Sequence, residues 1–298
     1  MGSRTIKAVR HTAIYYVVRF ALLLLGCLPQ RAVPGVARWL GGLAYLTARR
    51  ERRIAVSQLC GRTVLGNRPR RARQLTRGVF NHLALSIAEL CRLLRRGNNR
   101  PCVIIPESSR RALDKAMARK RGVIFVTGHI GNWEMMAIGL ADAGYDIHTV
   151  AKKSYDRRFT RYIEAQRARF GVHGIYRDEP GSAGKLVRAV KNGAILGMLI
   201  DQDTRVQGVF VPFFGVDAFT PSGAATFAIR TGTPVVVGTV KRTAAGLHRI
   251  DVEGVQLPDD EQAATALLTR KLEQRIRSQM SQWVWFHERW KTTKGVAI

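Results

Sequence analysis

GVIFVTGHIGNWE, residues 122–134, carries the reading of the fold. Val123, Ile124, Phe125 and Val126 form a short β-rich apolar run, suited to a buried strand of a parallel sheet. The run breaks at Gly128, presents His129, passes through Gly131 and reaches Glu134, where the triplet Asn132-Trp133-Glu134 opens an apolar helical stretch. In open α/β sheets, reactive groups gather where strands end and helices begin. Within one continuous helix, five residues turn through about 500°, which would put His129 and Glu134 on different faces. A strand-end His and a helix-start Glu avoid this, because the turn between them folds one side chain toward the other. Such a pair suits a base that takes a proton from a hydroxyl, with Glu134 fixing the imidazole tautomer. Spacing alone favours a packed or solvated histidine, and the strand-Gly-His context makes the two readings equal.

Outward from this stretch, strand and helix alternate. Strands are expected at 103–105, 123–126, 147–151, 194–200, 234–241 and 248–252. Helices are expected at 108–120, 133–143, 156–170, 183–191, 220–231 and 260–282. This rhythm predicts an α/β fold, with a mixed, largely parallel sheet flanked by helices. Residues 36–96 read as helices, and GNNRP (97–101) as a linker. The expected organisation is a basic, helical, membrane-associated N-terminal region over 1–100 and a catalytic domain over 101–298.

The chain has 298 residues, 46% of them hydrophobic, enough for a proper core. Its 49 Lys and Arg against 21 Asp and Glu give a net charge of +28, and residues 1–100 hold 20 of the cations with only Glu51 and Glu89 as acids. A platform of this kind attracts anionic lipid headgroups or nucleic acid. AIYYVVRFALLLLGCL (13–28) favours the membrane over nucleic acid, as an embedded or marginally spanning helix with a second amphipathic element after Pro29. At 16 residues it falls short of the ~20 of a comfortable span. Cys27, Cys60, Cys91 and Cys102 form no CxxC pair and no zinc-ligand pattern, so they read as reduced thiols without metal.

Several other stretches carry chemistry. GMLIDQD (197–203) delivers Asp201 and Asp203 at a strand end, on the sheet edge that carries His129. VFVPFFG (209–215) reads as a core loop or one lining an apolar pocket; Thr220 and Ser222 suit a helix cap that offers amides to an anion. Arg167 and Arg169 close a helix, where the dipole alone accounts for them. QWVWFHERW (282–290) reads as a packed closing element with a possible headgroup-level role for its tryptophans.

TGHIGNWE, LIDQD, FVPFFG, TPSGAATFAIRTGTPVV and QWVWFHERW, in this order, resemble the late acyltransferases of lipid A biosynthesis and their lysophospholipid acyltransferase relatives with an HxxxxE motif. The resemblance spans nearly the whole chain. It implies transfer of a fatty acyl chain from a carrier thioester (acyl carrier protein, or alternatively acyl-CoA) to a hydroxyl of a membrane glycolipid. A lipid A precursor is the implied acceptor. The implied setting is the inner membrane, with the catalytic domain facing the cytoplasm and no cofactor. By motif position His129 is the general base and Glu134 its orienting partner. Arg167, Asp201 and Asn132 are supporting residues, with Arg169 and Asp203 as alternatives for the first two. The DQD strip departs from many relatives in its middle residue. Backbone amides or Arg167 are candidates for the oxyanion, and the aromatic stretches for the acyl chain. A phosphoinositol mannoside, an ornithine lipid or a lysophospholipid are alternative acceptors. A non-catalytic basic protein that binds membrane or nucleic acid is the reading from another class.

Overall fold

A computed structural model describes residues 2–61, 64–96, 102–118, 121–154 and 156–293, with the side chains of 2–11 and 96 outside the description. The linker expected at 97–101 and the last two residues of the helix expected at 108–120 lie outside the described residues. Four helices come first: α1 (Gly2–Cys27), α2 (Val33–Thr47), α3 (Arg49–Gly61) and α4 (Pro69–Arg96). Alternation follows: β1 (Val103–Ile104), α5 (Glu107–Met117), β2 (Val123–Thr127), α6 (Trp133–Asp142), β3 (Ile147–Ala151), α7 (Arg157–Ala168), β4 (Val172–Tyr176), α8 (Ser182–Lys191) and β5 (Ile195–Leu199). A hairpin of β6 (Gly208–Phe213) and β7 (Val216–Pro221) precedes α9 (Gly223–Thr231), β8 (Val235–Arg242), β9 (His248–Val255) and α10 (Glu261–Arg277).

Among the described residues the main sheet has seven strands in the order β1-β9-β8-β2-β5-β3-β4. Every neighbouring pair is parallel except β8 with β9. The mixed, largely parallel α/β sheet expected from the sequence is therefore present. β2 pairs with β5 on one side and β8 on the other, and all five of its residues are buried, as an unbroken apolar run requires. Phe125 joins Met135, Met136, Leu140, Ile147 and Ile195 on the α6 face. Ile124 and Val126 join Leu196, Ala225 and Leu268 on the opposite face, under α9 and α10. Complete burial of each such side chain contributes about 1.5–3 kcal/mol.

Three elements differ from expectation. Residues 209–221, expected as a loop and the start of a helix, form the β6–β7 hairpin, whose turn at Phe214-Gly215 has φ of 51° and 73°. The helix expected at 220–231 accordingly begins at Gly223. Neither Thr220 nor Ser222 caps it: Ser222 makes no capping bond, and Thr220 lies within β7. β4 adds a strand where none was expected; it sits at the sheet edge with His173 and Gly174 exposed, which hides its pattern. The helix expected to run to 282 ends at Arg277, with a short turn at Met280–Gln282.

Among the described residues no single helix is long and apolar enough to cross a membrane. Thr12–Cys27 and Gln30–Thr47 pass only as a pair bent by 112°. Tyr16, Val17, Phe20 and Leu24 of α1 and Trp39, Leu43 and Leu46 of α2 are exposed. α1 packs instead through buried Tyr15, whose ring meets Phe159 of α7 at 5.0 Å, and Arg19 lies 4.6 Å from the Tyr162 ring.

The turn between β2 and α6 requires its glycine. Gly131 has φ +65°, and a Cβ there would stand 2.0 Å from the Val240 carbonyl oxygen. Gly131→Ala is expected to lower stability by about 1–3 kcal/mol, read as a fall in the denaturant midpoint. An unchanged midpoint would mean that the turn adjusts freely.

Candidate active site

β2 and β5 lie side by side with Thr127 opposite Leu199, so the chain leaves both strands at one edge. Two residues on, His129 and Asp201 meet there. Asp201, 3% exposed, accepts from the His129 backbone N–H at 2.7 Å through Oδ2 and from the His129 ring Nδ1 at 2.9 Å through Oδ1. Oδ2 also accepts from the indole N–H of buried Trp283 at 2.8 Å. This approach depends on Gly128, where a Cβ would stand 2.8 Å from the Asp201 carboxyl carbon. The His129 loop is further stitched to the C-terminal segment: Ile130 bridges Trp283, Gly131 N–H donates to the Gln282 carbonyl at 2.8 Å, and Val284 N–H to that of His129 at 3.3 Å.

The imidazole tautomer is thus fixed by Asp201, and the expectation that Glu134 orients His129 is corrected. Glu134 starts α6 and pairs with Arg167 at the end of α7, taking Nε at 2.9 Å and Nη2 at 2.5 Å. The reason is geometric. Glu134 leaves the turn along α6, whereas the parallel register delivers Asp201 directly beneath the His129 amide. A forked guanidinium also satisfies both Glu134 oxygens at once.

Burial opposes the charge on His129, but the charge and hydrogen bond of Asp201 outweigh it and raise its pKa above the ordinary value. Burial likewise pushes Asp201 up, and the His129 charge, with the bonds from His129 and Trp283, more than offsets this and holds it below the ordinary carboxylate value. For Arg167, burial is outweighed by the bond and charge of Glu134, which raise it. Nδ1 being committed, Nε2 is the ring nitrogen left for the cavity that His129 lines.

That cavity, about 540 Å³, runs from His129, Glu134 and Arg167 into an apolar arm between α6 and the sheet. β3 and β5 are paired only from Ile147–Ile195 to Thr149–Gly197, then part, and a second arm continues over the opposite face beside Leu186 and Phe227. The aromatic stretch 209–215 does not line it. Phe213 and Phe214 are buried with Trp283, Trp285 and Trp290, so these tryptophans serve the core and not a headgroup level.

Asn132 sits under the turn, outside the cavity lining. Its Oδ1 caps α6 by accepting from Met135 N–H at 3.2 Å, and its Nδ2 donates to the Ser86 carbonyl of α4 at 3.1 Å. Arg169 turns to the Leu94 carbonyl, and Asp203 holds Thr292 through its backbone N–H and hydroxyl, so neither alternative reaches His129. Sequence reasoning missed Trp283 as the third donor to Asp201, although its aromatic density was visible. It also missed a buried brace below the turn, in which Glu89 of α4 accepts from Arg242 and from His248 Nε2 at 3.1 Å. Arg242 donates in turn to the Ser86 hydroxyl at 3.1 Å.

A doubly covered, largely parallel sheet thus presents a carboxylate-held histidine at its carboxyl edge, over an apolar cavity, where open α/β sheets place their ligand sites. Residues 4–292 match the family described as bacterial lipid A biosynthesis acyltransferase, and the chain belongs to that family. It is also similar to the protein named phosphatidylinositol mannoside acyltransferase from Mycobacterium tuberculosis (strain CDC 1551 / Oshkosh), with 29% identity over 128 residues, 42% of this chain and 40% of that one. The protein of the same name from Mycolicibacterium smegmatis is 30% identical over 121 residues, 39% of each chain. The matched stretch thus spans about two fifths of these curated relatives.

The pair carries a pH signature. His129, raised by folding, contributes stability below its ordinary value of 6.5 that is lost as pH rises through its folded value. Asp201, lowered by folding, contributes stability above its ordinary value of 3.8 that is lost as pH falls through its folded value. Between those two ordinary values both contributions are present. Asp201→Asn is expected to flatten this plateau in denaturant midpoints against pH. It should also lower the His129 pKa in an NMR titration, since only the more distant Glu134 charge is then left to oppose burial. An unmoved His129 would show that the carboxylate does not set its charge.

Proposed function

We propose that this protein transfers a fatty acyl chain from an acyl thioester to a hydroxyl of a membrane glycolipid. The observation that carries the reading is His129, with Nδ1 held by a buried carboxylate, at the polar end of an apolar cavity. Nε2 takes the acceptor hydroxyl proton as that oxygen attacks the thioester carbonyl. The C–S bond then breaks, the proton passes from the imidazolium to the departing sulfur, and an ester and a free thiol remain. Asp201 stabilises the imidazolium between these steps, and no covalent enzyme intermediate is required. Glu134 acts through Arg167: holding Nε and Nη2, it leaves Nη1 as a fixed donor to the oxyanion.

The donor we favour is acyl carrier protein, with acyl-CoA as the alternative. Both are acidic, and a net charge of +28 steers them and phosphorylated lipid alike. The exposed apolar residues of α1 and α2 support attachment to a membrane surface, with the bent helix pair lying in the interface; the inner membrane, with the catalytic region facing the cytoplasm, is the setting we favour. Trp39, 66% exposed, suits the headgroup level. The family description supports a lipid A precursor as acceptor. The mycobacterial relatives favour a second reading, a phosphoinositol mannoside. Each offers a sugar hydroxyl beside anionic groups.

Incubation of purified protein with acyl carrier thioesters and each candidate acceptor, followed by product mass, tests the reading. Mass gain on no acceptor overturns it. His129→Ala is expected to lower kcat by roughly 10²–10⁴-fold in a protein that is still folded by circular dichroism, with a lowered thermal midpoint because Asp201 loses its partner; near-normal turnover removes His129 from the role of base. Replacing Phe20 and Trp39, both exposed, together by Ser should release the protein from vesicles at high salt, where attraction to the headgroups is screened. Equal vesicle recovery would argue against α1 and α2 as the attachment.

A further inference from the structure

Gly197 lies in β5, in the interior of the seven-stranded sheet, yet it is partly accessible. The accessibility comes from the cavity, which it lines. Register places it in one cross-strand row with Phe125 of β2 and Thr149 of β3, and alternation turns that row toward α6. The next row down holds Ile195 and Ile147, which also line the cavity. Gly197 therefore stands between the reacting end at His129 and the deepest row.

Its neighbours leave the space above it open. The Phe125 ring leans away, over Gly238 of β8, where a Cβ would stand 2.1 Å from the ring. A Cβ on Gly197 would meet only the His148 carbonyl at 3.7 Å and the Thr149 methyl at 3.8 Å, both ordinary contacts. Neither strain nor close packing accounts for a glycine here, and its φ is not in the left-handed region. Glycine in a strand interior often marks a bulge, a tight bend, or a place where a ligand or another backbone comes close, and the unbroken β2–β5 register leaves no bulge here.

We propose that Gly197 sets the length of acyl chain that this enzyme accepts, by leaving open the passage from His129 to the row of Ile147 and Ile195. This rests on the acyl-transfer reading of the cavity. A side chain at 197 closes the arm one row early, roughly 6.6 Å along the strand. A chain that reached the lower row then loses several methylenes from contact, each worth about fourfold in affinity. Chains that end above Gly197 lose nothing.

Gly197→Ala and Gly197→Val are the variants, and a β-branched residue suits a strand. Purified proteins are given acyl carrier thioesters of graded chain length, and kcat/KM is measured for each. The expected result is a preferred length that shortens from Gly to Ala to Val, with activity on the shortest donors kept. A folded Val variant with the wild-type length profile overturns the proposal, as does equal loss on all lengths. Displacement of a dansyl-labelled fatty acid by free fatty acids of graded length reads the same limit without turnover. If the wild-type protein transfers nothing, the acyl-transfer reading fails on its own. A length limit that still moves in the displacement series keeps Gly197 as the gate of an acyl-binding cavity, and an unmoved limit removes it.

Discussion

The structure depends on one close approach: a buried carboxylate set against a peptide that has no side chain in the way. Asp201 accepts three hydrogen bonds, two from His129 and one from Trp283, and all come from groups that the fold fixes independently. The register of β2 with β5 sets the first two, and the C-terminal segment sets the third. A carboxylate with this many donors stays ionised despite its burial, and an ionised Asp201 gives the imidazole a single tautomer. Gly128 is a condition for this arrangement, since any side chain there would displace the acid.

Support for that edge comes from far away in the chain. The Asn132 cap reaches back 46 residues to Ser86, and the Glu89 ion pairs reach 153 and 159 residues forward to Arg242 and His248. α4 is therefore both the platform on which the apolar N-terminal helices rest and the anchor of the turn that carries His129. α1 also packs on α7 through Tyr15 and Arg19, and α7 carries Arg167 at its far end. The elements proposed to touch the membrane thus share helices with those that hold His129 and Arg167. A lipid acceptor held in the interface would enter a site built on the same frame.

This division explains what was legible in the sequence. Runs such as 123–126 and 194–200 announce themselves because a parallel strand covered on both faces must be apolar throughout. The strand-Gly-His junction and the strand-end Asp201 follow from the same rule, and the sheet edge they share was visible. The partner of His129 was not, because the choice between Asp201 and Glu134 is made by the register between strands about 70 residues apart, and local spacing favours the nearer acid. β4 and the β6–β7 hairpin escaped for a different reason. β4 is an exposed edge strand broken by His173 and Gly174, and the hairpin carries Pro212 in a run of aromatics that turns only at Phe214-Gly215.

Arg289 completes the electrostatics of the edge. It is fully buried, with no direct carboxylate contact among the described residues; it donates to the Phe219 carbonyl and the Thr220 hydroxyl at 2.5 Å each, and lies 4.9 Å from the Phe213 ring. Burial pushes its pKa down to about 10, and the charges of Asp201 and Asp203 work against that fall, so it stays cationic near neutrality. An isolated buried ion costs several kcal/mol, which a nearby group of opposite charge offsets. The buried carboxylates of Asp201 and Asp203 thus oppose the burial cost of the Arg289 charge, as Asp201 does for that of His129. The dense aromatic C-terminus thereby acquires an electrostatic role beyond its packing: it delivers a donor to Asp201 through Trp283 and a compensating positive charge through Arg289.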